Sequence, residues 1–173
     1  MNERFPLNVS FKGERNYIQG PDFYNLVADL SKQVISENAW ISRIIFRGFA
    51  KGSCYVRFGS KEAGELVLAK FTVEHEGGGL SGVIIDEGRR IAGRYPYDEA
   101  SICKYCHIEG KRIYQESRAG YSAIEEIVAL TKKLHLQIYP TSGRWVFAQL
   151  DLSEEFPENI PFSIEIKKDV KQR

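Results

Sequence analysis

Three groups of residues in this 173-residue chain have the types and spacing that chemistry could use. The first is Gly13-Glu14-Arg15-Asn16-Tyr17, followed by Gln19, Asp22 and Tyr24, where a strand-like run gives way to a helix-like one. A helix N-terminus presents unpaired backbone N–H groups and the positive end of its dipole. With an arginine beside it, such a terminus attracts phosphate or a polarised carbonyl oxygen. Asp22 would then be the acid that activates water or moves a proton. The candidate catalytic residues are therefore Asp22, Arg15 and Tyr17. A competing reading has the arginine and tyrosine satisfy backbone groups at the junction.

The second group is Cys103-Lys104-Tyr105-Cys106-His107. C-x-x-C-H is the spacing of covalent haem attachment, but that chemistry needs export, and the chain starts Met1-Asn2-Glu3-Arg4 without an apolar run. Met1 is also the sole methionine, so the usual second axial ligand is missing. A zinc site completed by His75, His135 or Cys54 would need a turn between the cysteines, and Lys-Tyr supplies no turn chemistry. A paired-cysteine redox site would prefer a helix N-terminus. In strand-like sequence the two cysteines would point to opposite faces, so no metal or cofactor is expected.

The third group is Lys51-Gly52-Ser53-Cys54-Tyr55-Val56-Arg57-Phe58. It is similar to the aromatic strand of RNA-recognition domains, on which rings stack with unpaired bases, with Ser53 where an aromatic should stand. Arg43, Arg47, Lys51 and Arg57 would line the same sheet surface, and Tyr55 and Phe58 would have to be exposed. His75, between Glu74 and Glu76, reads as a solvated hairpin end. There is no G-x-S-x-G, Walker loop, G-x-G-x-x-G or H-E-x-x-H. None of these groups singles out a reaction.

The elements that would position them follow from hydrophobic periodicity. Leu7–Gly13 alternates as a strand, and Pro21–Ser36 carries Phe23, Leu26, Val27, Leu30 and Val34 at helical spacing. Trp40–Phe58 reads as a hairpin about Lys51-Gly52-Ser53. Residues 62–71 fit helix or strand; strand is preferred because Glu76-Gly77-Gly78-Gly79 would turn it into Val83-Ile84-Ile85. Ile91–Tyr97 and Ile102–Ile108 add strand-like material. A second helix follows, with Tyr121, Ile124, Ile127, Val128, Leu130 and Leu134 on its apolar face. Glu125, Glu126, Lys132 and Lys133 form its wet face. Leu136–Tyr139, Arg144–Leu152 and Phe162–Ile166 read as closing strands, and the last residues as a frayed tail.

Gly13-Glu14-Arg15-Asn16-Tyr17 is matched 97 positions later by Gly110-Lys111-Arg112-Ile113-Tyr114, and the offset also pairs Tyr24 with Tyr121. The expectation is an α+β fold, an antiparallel sheet packed on two helices. It would form one compact domain over residues 1–173, with candidate strand-helix-hairpin repeats at 5–97 and 98–167; two unrelated units are the alternative. Strand Leu7–Gly13, helix Pro21–Ser36 and the β-rich run Trp40–Ile108 together resemble the hotdog fold, in which a curved sheet wraps a long helix. That resemblance implies an acyl-CoA or acyl-carrier thioester as ligand, thioesterase- or dehydratase-like chemistry, and a homodimer. An RNA-binding or protein-interaction module without catalysis is the alternative.

With 43% hydrophobic and 27% charged residues the chain is globular in composition, and its 24 basic and 23 acidic residues nearly cancel. Nucleic acid is accordingly not the expected partner. Three cysteines and the polar start point to reduced thiols and a cytoplasmic setting. No apolar run approaches the roughly 18 residues of a membrane span.

Overall fold

The computed structural model describes residues 3–60, 62–140 and 145–167. Two compact units emerge, one from residues 1–97 with 147–155 and one from 98–146 with 156–173. The first contains β1 (Phe5–Leu7), β2 (Phe11–Lys12), α1 (Gly20–Val34), β3 (Trp40–Phe46), β4 (Gly52–Phe58), β5 (Leu66–His75), β6 (Gly78–Arg90) and β7 (Arg94–Tyr95). The second contains α2 (Glu99–Ile102), β8 (Cys106–Glu109), β9 (Arg112–Gln115), α3 (Ala123–Ile138) and β11 (Ser163–Glu165), whereas β10 (Gln149–Asp151) belongs to the first. The fold is α+β with a large antiparallel sheet. Among the described residues no helix is long and apolar enough to cross a membrane.

Unit 1 is built on a six-stranded sheet in the order β1-β4-β6-β5-β3-β10, antiparallel at every pairing. Its spine is the β5–β6 hairpin. Gly78, at φ 103°, supplies the left-handed backbone that a side chain would resist. Along β5, Ala69, Phe71 and Val73 are buried while Lys70 is exposed, the period of two expected of a half-covered sheet. Phe71 sits opposite Gly82, and its ring occupies the space a Cβ on Gly82 would need. Helix α1 lays Phe23, Tyr24, Val27 and Ser31 against the core and packs on β3. A bulge after Ile41 lets both Ile41 and Ile44 reach the interior.

Several expected elements changed partners or extent. The strand preference for residues 62–71 holds from Leu66 onward, and the glycine-rich turn does join it to β6. The hairpin expected over Trp40–Phe58 does not form. β3 lies between β5 and β10, and β4 between β1 and β6. Alternation identifies a strand but not its neighbour, and the longer β5–β6 ladder takes the central place. Leu7–Gly13 divides into β1, paired with β4, and β2, paired in parallel with β7. Ile91–Tyr97 contributes little beyond Arg94–Tyr95.

β4 also buries Arg57, whose side chain is 1% exposed. Its guanidinium grips Glu65 through two hydrogen bonds of 2.9 and 2.7 Å, and the Tyr55 hydroxyl donates to the same carboxylate at 2.5 Å. Burial by itself pushes the Glu65 carboxyl upward. The Tyr55 hydroxyl, the Glu62 backbone and Arg57 outweigh that and hold it below its ordinary 4.5. A depressed carboxyl stabilises the fold fully above its unfolded value, and the contribution disappears as pH falls through the folded value. In thermal melts from about pH 6 to about pH 3, the advantage of wild type over Glu65→Gln is therefore expected to shrink steadily. A gap that stays constant across that range would sink this account of Glu65.

Unit 2 has a three-stranded antiparallel sheet, β11-β9-β8, and helix α3. Ser122 and Glu125 form a reciprocal capping box that fixes where α3 starts. The helix runs on through Leu136 to Ile138, where a closing strand was expected, because nothing in Leu136–Ile138 breaks it. Ile102 closes the single turn of α2, also in place of strand. Glu126 does not lie on the wet face. It is fully buried and accepts from the Gln115 side chain, Arg118 Nε at 2.6 Å, and the backbone N–H groups of Ala119 and Tyr121 at 3.0 and 3.1 Å.

Gly13 and Gly110, the heads of the two similar segments, have φ of 55° and 56°. In each segment the arginine bonds the following tyrosine, Arg15 to Tyr17 at 3.1 Å and Arg112 to Tyr114 at 3.4 Å. Their backbones otherwise differ, since Arg112–Gln115 is a strand and residues 14–19 are loop.

Candidate functional site

The start of α1 is where the sequence placed its candidate residues. Pro21 is pre-shaped for a first helical turn, and Asp22 there complements the dipole. Gln19 is the N-cap, but its side chain makes no capping bond. The parallel pairing of β2 with β7 sets Lys12 opposite Tyr95. Both side chains then converge on Asp22, with Lys12 Nζ 2.9 Å and the Tyr95 hydroxyl 2.8 Å from the same oxygen, Oδ1.

Lys12 is the unexpected member. The alternation of Leu7–Gly13 assigned it to the polar face, yet it is 1% exposed. Burying an ammonium costs several kcal/mol unless it is paired. Here the Asp22 carboxylate offsets that cost, and the Tyr97 and Tyr95 rings add to it with centroids 4.3 and 5.6 Å from Nζ. Arg94, adjacent to Tyr95, donates to the carbonyls of Gly13 and Arg15 and so ties the loop between β2 and α1 to β7.

Two buried polar atoms at this helix start lack a hydrogen-bond partner among the described residues. They are Asp22 Oδ2, an acceptor, and Gln19 Nε2, a donor. Gln19 is 6% exposed, so water satisfies little of it. Orphaned buried polar atoms are uncommon, each costing about 1–3 kcal/mol. Beside them, Gly20 lies under the Phe147 ring, 2.5 Å from where a Cβ would stand, and Phe147 continues to Phe46 and Phe23 at centroid distances of 5.4 and 6.3 Å.

Of the three sequence candidates, Asp22 is the centre of this cluster. Arg15 and Tyr17 bond each other, and Tyr17 packs edge-on to Phe49 at 4.9 Å. Their link to the cluster runs through Arg94, which holds the Arg15 carbonyl at 2.9 Å. Sequence reasoning missed Lys12, Tyr95 and Tyr97. The aromatic pair in Arg94-Tyr95-Pro96-Tyr97 was visible, but nothing local tied it to Asp22, some seventy residues earlier.

The other candidate groups are arranged differently from expectation. Tyr55 and Phe58 are 4% and 2% exposed, and Arg57 is committed to Glu65, so the base-stacking surface required for RNA is not formed. A groove of about 520 Å³ on the sheet is lined by Arg43, Lys70, Thr72 and Ser81, with Arg43 already paired with Asp151 at 3.3 Å. His75 lies at the hairpin end, its Nδ1 accepting from the Gly77 N–H at 3.0 Å. Among the described residues no three His, Cys, Asp or Glu side chains gather as metal ligands. The chain matches no family model, no curated protein and no solved structure.

Proposed function

We propose that unit 1 is a hotdog-like body that binds an acyl thioester at the N-terminus of α1 and hydrolyses it, working as a homodimer. The observation that carries this reading is the buried, unpartnered Asp22 Oδ2 in the first turn of a 15-residue helix laid on antiparallel sheet. Lys12 and Tyr95 occupy Oδ1 and fix the carboxylate, which leaves Oδ2 to take a proton from an attacking water. Gln19 Nε2, the orphaned donor, would hold the thioester carbonyl oxygen as negative charge builds on it. Water adds to the carbonyl carbon, its proton passes to Asp22, and the C–S bond breaks as that proton leaves with the thiol. The Phe23, Phe46 and Phe147 rings supply apolar surface next to Gly20 for the acyl chain.

The test is native mass spectrometry of the gently purified protein, followed by titration with acyl-CoA thioesters of increasing chain length. The expected result is a species at twice 19.7 kDa that takes up acyl-CoA and releases free CoA. A bare species that binds none of the series and frees no CoA would end this reading.

A further inference from the structure

The C-x-x-C pair that the thioester reading leaves unused sits in unit 2, in a setting its sequence did not suggest. α2 ends at Ile102, Cys103 caps it, and Cys106 opens β8, so the cysteines flank a turn and do not lie along one strand. The Lys104 N–H bonds the Ser101 carbonyl at 3.3 Å, closing the last turn of α2 around Cys103. The Cys106 thiol donates to the Cys103 carbonyl oxygen at 3.3 Å. From α3, Lys133 Nζ reaches 3.2 Å from Cys106 Sγ and 2.9 Å from the Cys103 carbonyl. Both thiols are free and half-buried.

We propose that Cys106 is a peroxide-reactive thiol activated by Lys133, with Cys103 as the resolving thiol that captures the oxidised sulfur in a disulfide. An ammonium donating to sulfur favours the thiolate, the form that attacks electrophiles. Lys132 of α3 is paired with Glu99 of α2 at 2.6 Å, and His107 of β8 is turned to Glu116 and Glu109 at 3.1 and 3.7 Å. Lys133 directs its two bonds to a neutral carbonyl and to the sulfur.

Cys103 has a different environment. Its Sγ lies 4.0 Å from the Ala129 carbonyl, and burial pushes its thiol above the usual value despite Lys133. It therefore waits as a thiol, while Cys106 reacts first. The Cys106 thiolate attacks one oxygen of hydrogen peroxide, the O–O bond breaks, and hydroxide leaves with a sulfenic acid on Cys106. The Cys103 sulfur then attacks that sulfur, water departs with the Cys103 proton, and the S–S bond forms. Two electrons pass from the thiol pair to the peroxide.

The test uses the full chain. At neutral pH, iodoacetamide labelling followed by peptide mass mapping is expected to modify Cys106 about ten times faster than Cys103. Cys54 serves as an inert control, since burial, with Asp86 and Glu87 nearby, pushes its thiol up to about 12. Lys133→Met should slow Cys106 about tenfold, while Lys133→Arg, which keeps the charge, should stay within about threefold of wild type. Dilute hydrogen peroxide should remove about 2 Da from wild type and add about 16 Da to Cys103→Ser. Labelling of Cys103 or Cys54 ahead of Cys106 in the wild-type chain would overturn the proposal. So would a Lys133→Met variant that labels at the wild-type rate, or peroxide treatment that leaves Cys103 and Cys106 unlinked.

Discussion

Replacing Glu126 with alanine is expected to cost unit 2 about 3–5 kcal/mol, the usual penalty for removing one partner of a buried charge pair. The carboxylate is fully buried and gathers four donors from Gln115, Arg118, Ala119 and Tyr121, all in the segment that leads into α3. Without it, the Arg118 guanidinium, 14% exposed, loses the acceptor of its Nε, and the two backbone N–H groups are stranded beside it. A single ordinary hydrogen bond is worth about 1 kcal/mol, so the size of the loss separates a hub from a simple contact. Whole domains are stable by about 5–15 kcal/mol, and unit 2 is a small one. Hydrogen exchange across β8, β9 and α3 should collapse toward the unfolded rate in Glu126→Ala. Protection within about 1 kcal/mol of wild type would show that the segment before α3 is held by something other than this carboxylate.

Asp22→Asn is expected to reduce thioester turnover by about a hundredfold or more while acyl-CoA binding persists. The substitution keeps the shape of the side chain and the acceptor for Lys12 and Tyr95. It replaces the orphaned acceptor Oδ2 with an NH₂ group, which cannot take a proton from water. Because the variant also leaves the buried Lys12 ammonium without its counter-charge, a melting curve belongs beside the kinetics. Gln19→Leu leaves the ion pair intact and should lower turnover through the carbonyl contact alone. Wild-type turnover by a folded Asp22→Asn protein would remove Asp22 from the chemistry.

Local sequence carried more of the fold than of the site. Both long helices were legible because their apolar stripes repeat at 3.6 residues, and β5 and β6 because glycines bracket alternating runs. Composition and periodicity were also enough to set the class, α+β with a large antiparallel sheet. Asp22 was legible as a candidate because proline and an acid in a first helical turn are a local signal.

What lay beyond sequence was pairing at long range. Lys12 alternates with Leu7, Val9 and Phe11, and a charge in such a run sits on the wet face by default. The parallel β2–β7 pairing instead buries it against Asp22 and two tyrosines. Glu126 was read as wet for the same reason, since a helical wheel cannot show that the end of β9 and the loop before α3 turn four donors toward it. The cysteines were placed on opposite faces of a strand until α2 formed and a lysine thirty positions away reached the Cys103 carbonyl. Sequence by itself determined where the two long helices start and where the β5–β6 hairpin turns, because apolar period and turn residues act within a few positions. Tertiary structure decided which charges are buried and what faces them, because desolvation and ion pairing depend on neighbours the chain brings together only when it folds.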